Sequence, residues 1–515
     1  MKMKIESRVG GTTPSGQGVR AIIVRLLGLG SLIAAPVLIL SLVAMANAAV
    51  HCVSANGKVP KATVKLTGCA ATTSLMTISS GVAAASASDT VYVVNGTYSE
   101  MVTIPATLTG LSLIGEESGC PLGGCPPFLL GIGALGKLKT IINASGLTNG
   151  ILDQASGVTI SGFAISGANH EGILVQGAQP TCTTASPPVC TAAGPPISHV
   201  TISDNSVTRN DKLATATTCP GGPDLEAGDC GEGLHLDGVT FSTAVNNTVD
   251  GNAGGILVTD ETNANHDNLI LANDVEMNNT GAACGITLPS HTPQGSLANA
   301  GAAAFGVFHN TVAGNTSKGN INGAGVGVFA PFPGSAAYEN LIVRNQLVDN
   351  GQPGVSMHSH APGQNLNGNA IIGNTIAGNG NDPMPGPTEN DGPTATTGIE
   401  VYADVHAAPL DVRISGNLIS SEANDVWVGA PGWNNCGSAA APCYNVSAYL
   451  NSLFGGKTAV IGVNNVGTGT AVSVGAADNY WNCSTGPSTA TGCASAAGNV
   501  ITTPGLIGPD LGPFN

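Results

Sequence analysis

The sequence predicts an all-β solenoid, and three observations predict it. A pattern Asn-x-apolar-x-x-Asn recurs as "NSVTRN" at Asn205, "NTVDGN" at Asn247, "NDVEMN" at Asn273, "NTVAGN" at Asn310, "NQLVDN" at Asn345, "NTIAGN" at Asn374 and, ending in Glu422, "NLISSE" at Asn417. A second pattern, Gly-apolar-x-apolar, follows most copies, at Gly172, Gly233, Gly255, Gly285, Gly325, Gly354 and Gly398. Aromatic residues are only 4 % of the chain, too few to fill a wide core. Short period-two strands between Gly and Asn turns, recurring at this spacing, form stacked coils that bury a narrow core only against each other. Stacked asparagines at a fixed corner form an amide ladder and tolerate the bent backbone there.

The elements follow in chain order. Lys2, Lys4, Arg8, Arg20 and Arg25 precede the apolar run Leu26–Ala46, and "ANA" (Ala46–Ala48) is a small-x-small cleavage site. Residues 1–48 therefore read as a signal peptide, an uncleaved anchor being the alternative. A cap is expected over 49–88, the solenoid over 89–476 and a closing segment over 477–515. Export makes the cysteines readable as disulfides. Twelve fall into near neighbours: Cys52/Cys69, Cys120/Cys125, Cys182/Cys190, Cys219/Cys230, Cys436/Cys443 and Cys483/Cys493, leaving Cys284 over. No Cys-x-x-Cys spacing supports a cysteine metal site.

Removing the leader's five basic residues and Glu6 from the 16 basic and 32 acidic residues leaves a formal charge of −20. That balance argues against nucleic acid and anionic membrane as partners. Among glycans it favours a neutral chain over a polyuronide. A monomer is expected, located in the periplasm, at the cell surface or secreted.

"SDTVYVVNGTYSEMVTI" (Ser88–Ile104), "LSLIGE", "TIINASG" and "GVTISGFAISG" resemble the opening coils of right-handed parallel β-helix proteins of the pectin-lyase-like superfamily. "ADNYWNCSTGPSTATGC" (Ala477–Cys493) resembles the closing segment of exported members. The resemblance covers roughly Thr72 to Gly508 and implies a right-handed parallel β-helix whose first coil is capped by a short helix within Thr73–Ala87. It implies no reaction, because the superfamily spans lyases, hydrolases, esterases, epimerases and non-enzymatic proteins. The Asp-Asp and Gly-His-Gly motifs of polygalacturonase-type hydrolases are absent, as is the Asp-Pro-His-Glu signature of alginate epimerases.

Strand alternation points Ile256 and Val258, Val355 and Met357, and Ile399 and Val401 inward. The outer face then carries two polar clusters. His235, Asp237, Asp260 and Glu261 are the candidate catalytic set, since paired carboxylates flanking a glycosidic bond serve as acid and base or nucleophile. His358, His360, Asp404 and His406 are candidate ligands for a divalent ion such as Ca, Cu or Zn. Phe329, Glu400, Tyr402 and Trp427 beside them are candidate substrate-binding residues, aromatic faces suiting sugar rings. Four coils separate His235 from His358, about 19 Å at about 4.8 Å per coil. The expected function is binding of an extended polysaccharide along this face, with hydrolase or lyase activity as the enzymatic form. The alternatives are a non-enzymatic surface or adhesion solenoid and a periplasmic metal-associated β-helix protein.

Overall fold

The computed structural model describes residues 48–116, 140–210, 231–278, 284–296, 299, 301–359, 364–382, 393–403, 410–429, 444–456, 460–467 and 473–509. Within 48–515 the described residues form one compact unit, a right-handed parallel β-helix. Among the described residues, three long parallel sheets run along it, of 14, 12 and 11 strands. Each coil visits them in turn, as in Thr201–Ser203, Ser206–Thr208 and Glu232–Asp237. A short fourth sheet of five two-residue strands runs from Ile197–Ser198 to Ala337–Tyr338. No helix of the described residues is long and apolar enough to cross a membrane.

Pairing is in register throughout the central coils. Ile173, Leu234, Ile256, Ile286, Val326, Val355, Ile399 and Val426 align one above another and are fully buried. This is the inward column expected from strand alternation. Side chains of this size fill a narrow tube with few aromatics.

The corners explain the asparagines. At three corners the chain passes through a left-handed residue and then a buried one whose side chain joins a ladder. Asp204, Arg209 and Asp267 have φ of 56°, 58° and 57°, and Asn205, Asn210 and Asn268 follow them. Asn247 shows the arrangement. Its Oδ1 accepts from the Asn205 backbone N–H and Nδ2, and its Nδ2 donates to Asn273 Oδ1 and to the Ile202 carbonyl. The first ladder runs from Asn205 through Asn247, Asn273, Asn315, Asn345, Asn374, Asn417 and Asn451 to Asn479. Every buried amide hydrogen and carbonyl in it is thereby satisfied.

One repeat copy is out of phase with the others. Asn310 belongs to a different ladder, with Asn268, Asn340 and Asn369. The copy in register is "NTSKGN", Asn315–Asn320, which carries Ser317 where the pattern has an apolar residue. Two successive three-residue strands with one inward side chain each fit the same six-residue pattern. Spacing alone cannot tell which of the two a copy occupies.

The Gly of the second pattern is also dictated by a ladder. A Cβ at Gly233 would lie 2.9 Å from Asn252 Nδ2 and 2.2 Å from Val249 Cγ1, and one at Gly255 would lie 2.0 Å from the Gly285 carbonyl. The amide folds over the strand entry, so only glycine fits.

The ends differ in detail from the expected cap and closing segment. The helix Ile78–Ala84 buries Ile78 and Val82 over the first coil, as expected. Thr77 and Ser80 form a capping box, and the Glu100 carboxylate accepts from the N–H groups of Ile78 and Ser79 at 2.7 and 2.9 Å. A second helix, Lys61–Thr67, joins it. Strand Val50–Val53 extends the 14-stranded sheet, tied back by the Cys52–Cys69 disulfide. At the other end Trp481 is fully buried, but Ala494–Ala497 and Val500–Ile501 continue two sheets instead of merely covering them. Disulfides Cys182–Cys190 and Cys483–Cys493 form as paired in the sequence. Cys284 is buried, whereas Cys120, Cys125, Cys219, Cys230, Cys436 and Cys443 lie outside the described residues.

Candidate functional site

The 12-stranded sheet carries the candidate site on its outer face. One outward column aligns Leu174, His235, Leu257, Thr287, Gly327, Ser356, Glu400 and Trp427. The next aligns Pro289, Phe329, His358 and Tyr402, and, on the earlier strands, Gln176, Asp237 and Thr259. The two predicted clusters thus share one face but stand four strand pairings apart. They are two centres.

The first centre assembles His235, Asp237, Asp260 and Glu261, and all four are fully buried. His235 Nε2 lies 2.8 Å from Thr259 Oγ1. Asp237 accepts from Gln176 Nε2 at 3.1 Å and from the Thr262 N–H at 3.0 Å. Asp260 accepts from Ser290 Oγ at 3.0 Å and from the His291 and Gly306 N–H groups at 2.8 and 2.5 Å. Glu261 Oε1 pairs with His291 Nδ1 at 2.8 Å. Burial, with the neighbouring Glu261 charge, pushes the Asp237 carboxyl well above its ordinary range. Burial also pushes Asp260 up to about 7, against the hydrogen bonds from Gly306 and His291 that favour its ionised form.

The loop Pro289–Ser296 closes this centre, and the long insertion after Gly177 lies against that loop. A short turn, Pro293–Gly295, lies over Glu261, whose carboxylate would be 2.9 Å from a Cβ at Gly295. Gln294 Nε2 donates to the Pro180 carbonyl at 2.7 Å, and Asn263 Nδ2 to that of Gly194 at 2.8 Å. The insertion is braced by the Cys182–Cys190 disulfide.

The second centre keeps His358 from the predicted set and adds a residue that sequence reading missed. His360, Asp404 and His406 lie outside the described residues, as does the Tyr402 side chain. His358, Asp382 and Glu400 are all buried, and one ligand atom from each lies within 4.8 Å of the others. Ser356 Oγ donates to Glu400 Oε2 at 2.8 Å and lies 3.1 Å from His358 Nδ1. The Phe329 ring covers His358 with centroids 4.4 Å apart. Burial first, then the Asp382 charge, pushes Glu400 well above the usual carboxylate range. Trp427, next to Glu400 in its column, is only 5 % exposed. Asp382 stands three residues past ladder residue Asn379, in a stretch without repeat pattern, so no periodicity marked it.

Two further features were not legible. His199, Phe241, His266, Phe308 and Tyr338 form a ribbon of rings along successive coils, with neighbouring centroids 4.8 to 5.8 Å apart. Three of the four neighbouring pairs are stacked and Phe241 meets His266 edge-on. The other is Asp153, an inward residue between Ile104 and Val175, pushed up to about 7 by burial.

No protein-family model matches the chain, and no curated protein matches its sequence. Solved structures with similar architecture include the Agl-KA catalytic domain, 13 % identical over 93 % of this chain and 67 % of that one, with a TM-score of 0.47. The mannuronan C-5 epimerase AlgE6 A-module of Azotobacter vinelandii is 17 % identical over 81 % of this chain and 91 % of its own, with a TM-score of 0.38. A polygalacturonase from Erwinia carotovora is 10 % identical over 88 % and 97 %, with a TM-score of 0.36. At these identities the likeness is one of fold. The chain has a right-handed parallel β-helix fold.

Proposed function

We propose that the protein is exported and binds an extended, neutral polysaccharide along the outer face of the 12-stranded sheet, with the first centre as its acid–base machinery. One observation carries this reading: both polar centres lie in the same two outward columns, about 19 Å apart, with the Phe329 ring on the half-buried stretch beside the second. Paired cysteines support export into an oxidising compartment. Raised carboxyls at Asp237 and Asp260 support the chemistry, because a glycosidic general acid must keep its proton near neutrality. Substrate reaches them only when Pro289–Ser296 is displaced.

A non-enzymatic solenoid is the second reading, favoured by the hydrogen bonds that Asp237 and Asp260 give over to backbone and loop. Incubating the protein with neutral and uronic polysaccharides and reading products by mass spectrometry separates the two. New oligosaccharides that vanish in Asp237→Asn establish the enzyme, and a product 18 mass units below the hydrolytic one identifies a lyase. Intact polymers that still bind wild type but not Phe329→Ala leave a binding protein. Neither products nor binding leaves the structural solenoid.

A further inference from the structure

We propose that His358, Asp382 and Glu400 form a site for one divalent first-row transition-metal ion, such as Zn or Mn. The inference is independent of sugar binding. Three residues from separate coils or loops bring one imidazole and two carboxylates to a buried point on the outer face. Their ligand atoms lie within 4.8 Å of one another, and His358 Nδ1 is 3.9 Å from Asp382 Oδ2. Ligands held at about 2.0–2.2 Å from a tetrahedral ion sit about 3.4 Å apart, so closing on a metal requires side-chain shifts of about 1 Å.

A second observation points to a ligand. Glu400 Oε2 accepts from Ser356, and the fully buried Glu400 carboxyl also faces the carboxyl of Asp382, with no N–H or O–H of another residue on Oε1. Two buried carboxyls facing each other repel when both are ionised, and either a shared proton or a cation between them relieves that cost. Ser356 holds the other oxygen, and the Phe329 ring covers the imidazole, which is how outer groups orient metal ligands. The donor set also selects the ion. Calcium takes six to eight oxygens, and here an imidazole stands among only two carboxylates, a mixture that suits first-row ions.

The test uses the full purified chain, stripped with chelator and titrated calorimetrically with Zn, Mn and Ca chlorides. The expected result is one Zn or Mn per chain, with calcium weaker by about tenfold or more. Glu400→Gln and Asp382→Asn keep shape and remove charge. Each is expected to weaken binding by about 10- to 100-fold while the Tm of the metal-free protein holds. Where either fails to fold, Ser356→Ala is read instead, since it leaves all three ligands in place. A loss of about tenfold there supports the site. No binding by wild type, wild-type affinity in these variants, or calcium binding as tight as zinc would each overturn it.

Discussion

The carboxylate of Asp260 accepts the backbone N–H of His291 at 2.8 Å, fastening a loop 31 residues further along the chain to the coil beneath it. The same side chain takes Ser290 Oγ and the Gly306 N–H, so one carboxyl holds both ends of the excursion that closes the first centre.

Asp260→Ala therefore frees three donors at once. The expected loss is about 3–5 kcal/mol if the loop stays docked, and less if it lifts and water takes its place. Limited proteolysis distinguishes the two outcomes. Cleavage between Pro289 and Ala304 that accelerates in the variant, with little change in Tm, means the loop undocks as a unit.

The amide ladder gives a sharper case. Asn315 lies mid-ladder, accepting from Asn273 and donating to Asn345 and the Ile270 carbonyl. Asn315→Ala strands partners above and below, at a cost of about 3 kcal/mol or more. Asn479 ends the ladder, with no further asparagine to serve, and its replacement by Ala is expected to cost less. Urea denaturation of the two variants checks the order.

Glycine at the strand entry is a steric requirement. At Gly255 a Cβ would meet the Gly285 carbonyl at 2.0 Å and Val275 Cγ1 at 2.4 Å, whereas at Gly475 nothing lies within 4 Å. Gly255→Ala is expected to destabilise by about 1–3 kcal/mol or more, as overpacking does. Gly475→Ala should be close to neutral, and thermal denaturation of both variants tests the contrast.

Asp153 makes stability depend on pH in an unusual direction. Its carboxyl titrates near 7 in the folded chain and near 4 when unfolded, so between those values the native state holds the extra proton. Its contribution is greatest below about pH 4 and falls as pH rises to about 7, by about 4 kcal/mol in all. Asp153→Asn should flatten that part of the stability profile, measured by denaturant midpoints from pH 4 to 8. A profile identical to wild type would mean the carboxylate is charged and solvated in the native state.

The fold was largely legible because its corners are written in polar residues. Buried asparagines are rare enough that their spacing exposes the coil, and the glycine at the strand entry keeps phase with them. The phase slip at Asn310 shows the limit: two short strands per coil obey one pattern, and Ser317 hides the second copy. The site was legible only where it lies on strands. His235, Asp237, His358 and Glu400 follow from alternation alone. Asp382 comes from a loop without period, and the closing of Asp260 and Glu261 depends on how an insertion folds back. Neither property is local in the chain.

The ladders also make distance along the molecule a counted quantity. Asn310, Asn315 and Asn320 bond to Asn340, Asn345 and Asn350, each exactly 30 residues on. Excising residues 311–340 would join like to like at every corner and shorten the stack by one step of about 4.8 Å. The gap between the two polar centres therefore changes in whole steps only. Lineages that lose or duplicate a coil would inherit the two centres at integer spacings, and intermediate spacings would be closed to them.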